Sequence, residues 1–251
     1  MNYIVFDLEF NQDFSARKDF DNKENRYPFE IIQIGAVKLD ENFHTLDTFN
    51  HLIKPSFYET LNPFVSYLTG ITIDQLSQEE NFPKVYEAYV DFIGATEAIC
   101  CIWGTADMKI LFKNILYHGL DPDPVPKNFI NIQPYTSVYL GLPSKKLLRL
   151  QDAVNMLQIP ANAAFHLALS DAYYTAEIFK KVYHPSIKPH CYDPSEAPKS
   201  GRPTKHFIDF EALIKQFEKM YHRPMTEEEQ SLIKLAYQMG KTGQFLTPKQ
   251  A

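Results

Sequence analysis

The run Tyr3-Ile4-Val5-Phe6-Asp7-Leu8-Glu9-Phe10 constrains the fold more than any other stretch of the chain. Four apolar residues lead into two acids separated by a single residue. A strand alternates its side chains between faces, so Asp7 and Glu9 share one face and Leu8 takes the other. Two carboxylates fixed side by side repel each other, and they are costly to remove from water unless a cation lies between them. Taken alone, the pair also fits a solvated strand end.

The residues after this strand narrow the fold class. Asn11 to Tyr27 is polar and aperiodic and reads as a loop. Glu30 to Leu39 is a second, largely buried strand, Asp40-Glu41-Asn42 a turn, and Thr45 to Ile53 a returning third strand. The opening is therefore an antiparallel meander. No glycine-rich phosphate loop comes after Phe6, which disfavours a dinucleotide-binding fold.

Further along, Pro55 to Thr69 reads as irregular. Thr72 with Gln75 fits a capping box, and Pro83 marks a second helix start within the apolar stripe Phe82, Val85, Tyr86, Tyr89 and Phe92. Ala98 to Trp103 is predicted as a fourth strand buried on both faces. A helix from Gly104-Thr105 to about Tyr117 comes next, then a short strand at Phe129 to Ile132, a helix around Leu150 to Leu157, and a longer helix at Ala168 to Tyr183. The expected fold is α/β: a mixed five-stranded sheet flanked by helices. Composition shifts after Tyr183, so residues 185–206 read as a proline-rich linker and 207–251 as a helical C-terminal extension. Its two amphipathic helices, the second opened by Thr226 with Glu229 as a capping box, are expected to dock on the domain, associate with a second copy, touch substrate or meet a partner.

Bulk properties exclude some roles. The start of the sequence lacks a basic-then-apolar leader, and no apolar run approaches the ~20 residues needed to cross a bilayer. Cys100, Cys101 and Cys191 make no disulfide framework, since the adjacent pair points to opposite faces of a strand. These features predict a cytoplasmic protein with no membrane association. A net charge of −6 argues against a protein that coats long nucleic acid through a basic surface. It leaves room for an enzyme that grips only a strand end.

Two later acids answer the first pair. Asp107, in Trp103-Gly104-Thr105-Ala106-Asp107, falls in the first turn of its helix, where the dipole alone would favour an acid. Asp171 sits among Leu167, Ala168, Leu169 and Ala172 on a helix that is apolar on most sides, and a buried acid needs a partner. His166 precedes that helix on a loop able to reach the same place.

Asp-x-Glu on the first strand, Asp after the fourth and His-x-Ala-x-x-Asp on a late helix resemble the DEDDh 3′–5′ exonucleases, the superfamily of RNase T and the proofreading subunit of DNA polymerase III. The resemblance runs from Tyr3 to Tyr183 and includes Leu68-Thr69-Gly70-Ile71-Thr72. Glu30-Ile31-Ile32-Gln33-Ile34-Gly35-Ala36-Val37, the Trp103 to Asp107 segment and Asn131-Ile132 look similar to the Eri-type RNA exonuclease branch with its KapD-like members.

The resemblance implies a ribonuclease H-like fold for residues 1–184. It implies two Mg²⁺ or Mn²⁺ ions held by Asp7, Glu9, Asp107 and Asp171, with His166 as general base for the attacking water. Such ions prefer oxygen ligands, and a pair of them supplies charge neutralisation together with an activated water. It further implies that Phe10, Leu68, Thr69 and Ile71 meet the 3′-terminal nucleotide, and Trp103 is a candidate for stacking on a base. Lys109, Lys113, Lys145, Lys146 and Arg149 are candidate phosphate contacts. The implied partner is the 3′ end of single-stranded RNA. Two alternatives stay open: a DNA-directed exonuclease of the proofreading or repair type, and a non-catalytic binding or regulatory protein on the same fold.

Overall fold

The N-terminal apolar run forms β1 (Asn2–Asn11) at the centre of a mixed sheet, in a computed structural model whose described residues are 1–12, 29–193 and 208–242. The meander continues as β2 (Glu30–Leu39) and β3 (Thr45–Leu52), each antiparallel to the strand before it. Residues 13–28, most of the expected first loop, lie outside the described residues.

Three helices then cross one face: α1 (Pro63–Thr69), α2 (Ile73–Ser77) and α3 (Phe82–Ile93). The Thr72–Gln75 capping box is present, and Pro83 occupies the first turn of α3, where its missing N–H costs nothing. The helix α1 falls in the stretch expected to be irregular. Asn62 caps it by accepting from the Phe64 N–H at 2.9 Å, and Gly70 closes it with φ 71°.

The chain next enters the sheet beside β1 as β4 (Ala98–Ile102), parallel to it, and leaves through α4 (Ala106–Tyr117). Then come β5 (Asn128–Asn131), parallel to β4, and α5 (Ile132–Tyr139), which the sequence did not announce. Asn131 caps α5 by accepting from Gln133 N–H at 3.1 Å, and Pro134 is tolerated in the first turn. The helices α6 (Leu150–Met156) and α7 (Ala168–Val182) come where they are expected.

The sheet order is β3-β2-β1-β4-β5-β6, six strands where five were expected. The sixth, β6 (His190–Cys191), pairs antiparallel with β5 inside the segment read as a linker, of which 194–206 lies outside the described residues. The chain divides into two compact units, Met1–Glu196 and Ala197–Ala251. In the second, α8 (Phe210–Tyr221) and α9 (Glu227–Lys241) form a pair. The ring of Phe210 meets Tyr237 edge-on at 5.4 Å, and Thr226 with Glu229 makes the expected capping box.

Strand alternation sorts the core of the first unit into two layers. Ile4, Phe6, Leu8, Cys100 and Ile102 face α3 and α4, packing with Tyr89, Leu111 and Phe112. Tyr3, Val5, Val37 and Cys101 face α7, packing with Ala172, Tyr174, Ile178 and Phe179. Cys100 and Cys101 fall in opposite layers, as their adjacency demands. By the same parity, Asp7 and Glu9 continue the Tyr3–Val5 face and point towards α7.

Candidate active site

Parallel pairing brings the C-terminal ends of β1 and β4 to one edge of the sheet, so the segment leaving β4 stands beside the β1 acids. Asn131 fixes that exit: its Oδ1 accepts from Gly104 N–H at 3.0 Å, and Gly104 adopts φ 97°, which a glycine takes without strain. The chain then turns into α4, and Asp107 in its first turn is only 7% exposed.

The fourth acid comes from the opposite layer. Asp171 lies in the first turn of α7 and is 8% exposed. Its Oδ2 accepts from the backbone N–H of His166 at 3.1 Å, while its Oδ1 is buried with no hydrogen-bond partner. His166 is exposed and has φ 64°, a left-handed bend that turns the chain just before the helix. Ligand atoms of Glu9, His166 and Asp171 lie within 4.8 Å of one another. Glu9, His166 and Asp171 thus meet at one place, and the charges of Asp107, Glu9 and Asp171 all act on the Asp7 carboxyl.

Two β2 residues to which the sequence alone assigns no role make this convergence possible. Gly35 pairs with Asp7 across the sheet, and a Cβ there would lie 2.0 Å from Leu169 N and 2.1 Å from the Ala168 carbonyl carbon. Only glycine lets the start of α7 approach the sheet so closely. Gln33, paired with Glu9, accepts from Ala168 N–H at 3.2 Å and donates from Nε2 to Asn50 Oδ1 at 2.9 Å. Leu167 gives α7 no side-chain cap, so Gln33 takes that part from the sheet. The available signal was a glycine in the middle of a buried strand.

Electrostatically the cluster is uncompensated. Burial, then the charges of Asp107, Glu9 and Asp171, push the Asp7 carboxyl well above the ordinary range. Burial, then Asp171 and Asp107, raise Glu9 to about 8. Burial raises Asp107 to about 7 and Asp171 to about 6, each opposed by a backbone hydrogen bond. Burial lowers the His166 imidazole, which favours its neutral form at physiological pH. The four acids, the unpartnered Asp171 Oδ1 and the neutral imidazole fit a divalent cation that prefers oxygen ligands.

A pH dependence results. Raised carboxyl pKa values mean that the folded, metal-free protein holds protons which the unfolded chain has released, so the stabilisation is complete below about pH 4. It is given up as the pH climbs through about 6, 7 and 8, the values for Asp171, Asp107 and Glu9. The melting temperature in EDTA should thus fall between pH 5 and 8, and the increment from Mn²⁺ should be largest at pH 8. A flat EDTA profile with a pH-independent increment would contradict this electrostatic origin.

The expected nucleotide-contacting residues take varied positions. A bulge between Glu9 and Phe10 re-aims the end of β1, and Phe10 packs edge-on to Phe29 at 5.0 Å. Leu68 is half-buried on α1. Thr69 is buried, with its hydroxyl donating to Val65 O at 2.8 Å and accepting from Ile71 N–H at 3.1 Å. Ile71 packs inward with Ile32 and Leu76. Trp103 packs on the α7-side core, and its indole N–H is buried without a partner.

The segment that carries Leu68 to Ile71 is tied to the meander by residues that no local sequence pattern singles out. Asn11 donates to Thr60 O at 2.9 Å and accepts from Asn62 N–H at 2.9 Å. Glu30, 3% exposed, accepts from the backbone N–H groups of Ser56, Phe57 and Tyr58.

The chain resembles known exonucleases. Human 3′-5′ exoribonuclease 1 is 28% identical over 176 residues, covering 66% of this chain and 49% of the human protein. The mouse protein of the same name is 28% identical over 159 residues, covering 59% and 45%. The chain thus spans about half the length of the curated relatives it matches. Among solved structures, the nuclease domain of 3′hExo, described as a DEDDh family member bound to rAMP, superposes with a TM-score of 0.62 at 22% identity, covering 76% of this chain and 96% of that one. Escherichia coli exonuclease I in complex with a dA16 oligonucleotide superposes at 0.56 with 17% identity, covering 71% and 40%. These two likenesses speak to the fold, the ribonuclease H-like arrangement expected from the sequence. The Exonuclease (RNase T) family matches residues 4–179, most of the chain, and with the acids and histidine converging as they do, the protein belongs to that exonuclease family.

Proposed function

We propose that the protein is a metal-dependent 3′–5′ exonuclease that hydrolyses single-stranded RNA from its 3′ end and releases nucleoside 5′-monophosphates. The observation that carries this reading is the convergence of Asp7, Glu9, Asp107 and Asp171 with His166, three of them meeting within 4.8 Å. Family membership and the exoribonuclease relatives support the choice of RNA. The likeness to exonuclease I with its DNA oligonucleotide favours, as a second reading, a DNA substrate on the same site.

Asp7, Glu9, Asp107 and Asp171 would hold two Mg²⁺ or Mn²⁺ ions, which when bound neutralise phosphate charge and acidify water. The Asp7 carboxyl feels the charges of all three other acids. His166, whose neutral form is favoured by its partly desolvated surroundings, would accept the proton of the attacking water at an imidazole nitrogen. Asp171 accepts from the His166 backbone N–H and so fixes the chain that carries the imidazole. The half-buried Phe10 and Leu68 would offer apolar surface to the terminal base.

Residues 1–184 make the catalytic domain in this reading. The helices of 207–251 serve association with a partner or a second copy, and 185–206 joins the two. No helix among the described residues is long and apolar enough to cross a membrane.

His166→Ala should lower kcat on an RNA oligonucleotide by about 10²–10⁴-fold with little change in KM, as loss of a general base does. Mass spectrometry of the wild-type products should show nucleoside 5′-monophosphates. Nucleoside 3′-phosphates, or an unchanged kcat in the variant, would overturn the assignment.

A further inference from the structure

The acids, His166, Phe10 and Leu68 account for a strand's last nucleotide and leave the rest of the strand unheld. The segment Pro143-Ser144-Lys145-Lys146-Leu147-Leu148-Arg149, between α5 and α6, concentrates three cations in a chain of net charge −6. Its backbone is held by a turn of its own and by two side chains of α5. Lys146 N–H donates to Pro143 O at 2.8 Å, the buried Ser137 hydroxyl donates to Lys146 O, Gln133 Nε2 donates to Leu148 O at 2.7 Å, and Leu148 is buried in the core. The remaining side chains face solvent: Lys145, Lys146 and Arg149 are exposed, and Leu147 is 58% exposed. Neither lysine forms an ion pair among the described residues.

The pinning also fixes where this surface lies. Gln133, which holds Leu148 O, has its Oε1 3.9 Å from where a Cβ on Gly104 would be. Asn131 Oδ1 binds Gly104 N–H and Gln133 N–H together, at 3.0 and 3.1 Å. The basic segment is thus one side chain away from Gly104, three residues before the site acid Asp107.

The charge of the site acids would be taken up by their metal ions and the chain as a whole carries −6, so a strand gains most from cations placed just outside the site. A pinned backbone presenting lysines and an exposed leucine offers backbone phosphates a counter-charge and base faces an apolar contact, at little ordering cost. We propose that the Pro143–Arg149 segment is a subsite for single-stranded nucleic acid upstream of the terminal nucleotide. It binds internal phosphates through Lys145 and Lys146 and sets a preference for long strands over dinucleotides. This subsite rests on the exonuclease reading for its direction, and its binding arm stands apart from hydrolysis.

The test uses the full chain, wild type and the double variant Lys145→Ala/Lys146→Ala, with Lys145→Arg/Lys146→Arg as the charge-preserving control. Fluorescence anisotropy in EDTA gives the affinity for a labelled RNA dodecamer across a salt series. For two lost phosphate contacts, the slope of log affinity against log salt should become shallower by about 1.4, and the arginine control should keep the wild-type slope. In Mn²⁺, the dodecamer-to-dinucleotide ratio of kcat/KM should fall about tenfold in the alanine variant, two phosphate contacts' worth of binding. An unchanged salt slope, an unchanged length ratio, or displacement of the RNA by polyglutamate as effectively as by unlabelled RNA would overturn the subsite. If the wild type hydrolyses neither substrate, the exonuclease reading fails, and the salt slope alone still decides whether this segment binds nucleic acid.

Discussion

Asp7→Asn abolishes hydrolysis, by on the order of 10³-fold or more, and leaves the metal-free protein at least as stable as the parent. Both halves stem from one residue's surroundings. Burial, and then the charges of Asp107, Glu9 and Asp171, push its carboxyl well above the ordinary range. An asparagine of the same shape removes a charge that costs energy in the folded chain, so the melting temperature in EDTA at pH 8 should stay level or rise. The same change removes an acid whose carboxyl feels the charge of the other three, so the Mn²⁺-induced rise in melting temperature should shrink together with turnover. A variant that hydrolyses as fast as the parent would remove Asp7 from the site. One that unfolds in EDTA would show that the carboxylate serves the fold instead.

Gly35→Ala should be the most damaging substitution outside the acids and the histidine. The added carbon would meet the backbone of Ala168 and Leu169 at 2.0 to 2.5 Å, where no flexible side chain can yield. Either α7 moves off the sheet or the sheet bends. Overpacking of this kind costs about 1–3 kcal/mol and sometimes more. The functional loss is larger, because α7 carries Asp171 in its first turn and His166 just before it. Displacing such groups by about 1 Å can cost on the order of 10²-fold in rate. Gly240→Ala is the matched control: nothing lies within 4 Å of its added carbon, and it sits in the last turn of α9. There the substitution should leave activity alone and stabilise slightly, as alanine does in helices. Wild-type activity in folded Gly35→Ala protein would contradict the docking geometry.

These two positions mark what the sequence could and could not disclose. The acids were legible because each sits in a local pattern that names its element. Asp7 and Glu9 follow a continuous apolar run, Asp107 lies in the first turn of a helix, and Asp171 lies on a helix apolar on most sides. The capping boxes at Thr72 and Thr226 were legible for the same reason. Gly35 and Gln33 were not, because their meaning is a contact between residues 135 positions apart, Gln33 and Ala168, which no local pattern encodes. The short helices α1 and α5 escaped because seven or eight residues with a proline in the first turn carry no readable stripe. The two-residue strand β6 exists only through its pairing with Asn128 and Phe129, so its own sequence offered nothing to read. Glu30 and Asn11 likewise act on loop backbone about 26 to 51 residues away.

The most direct measurement is a gel assay on one oligonucleotide labelled separately at its 5′ and 3′ ends, as RNA and as DNA, in Mn²⁺ and in EDTA. A 3′-to-5′ exonuclease turns the 5′-labelled strand into a descending ladder, releases the 3′ label at once as a mononucleotide, and does neither in EDTA. That pattern is the predicted result, with RNA the faster substrate. A descending ladder from the 3′-labelled strand, cleavage that survives EDTA, or intact strands after incubation with folded, Mn²⁺-loaded protein would contradict it.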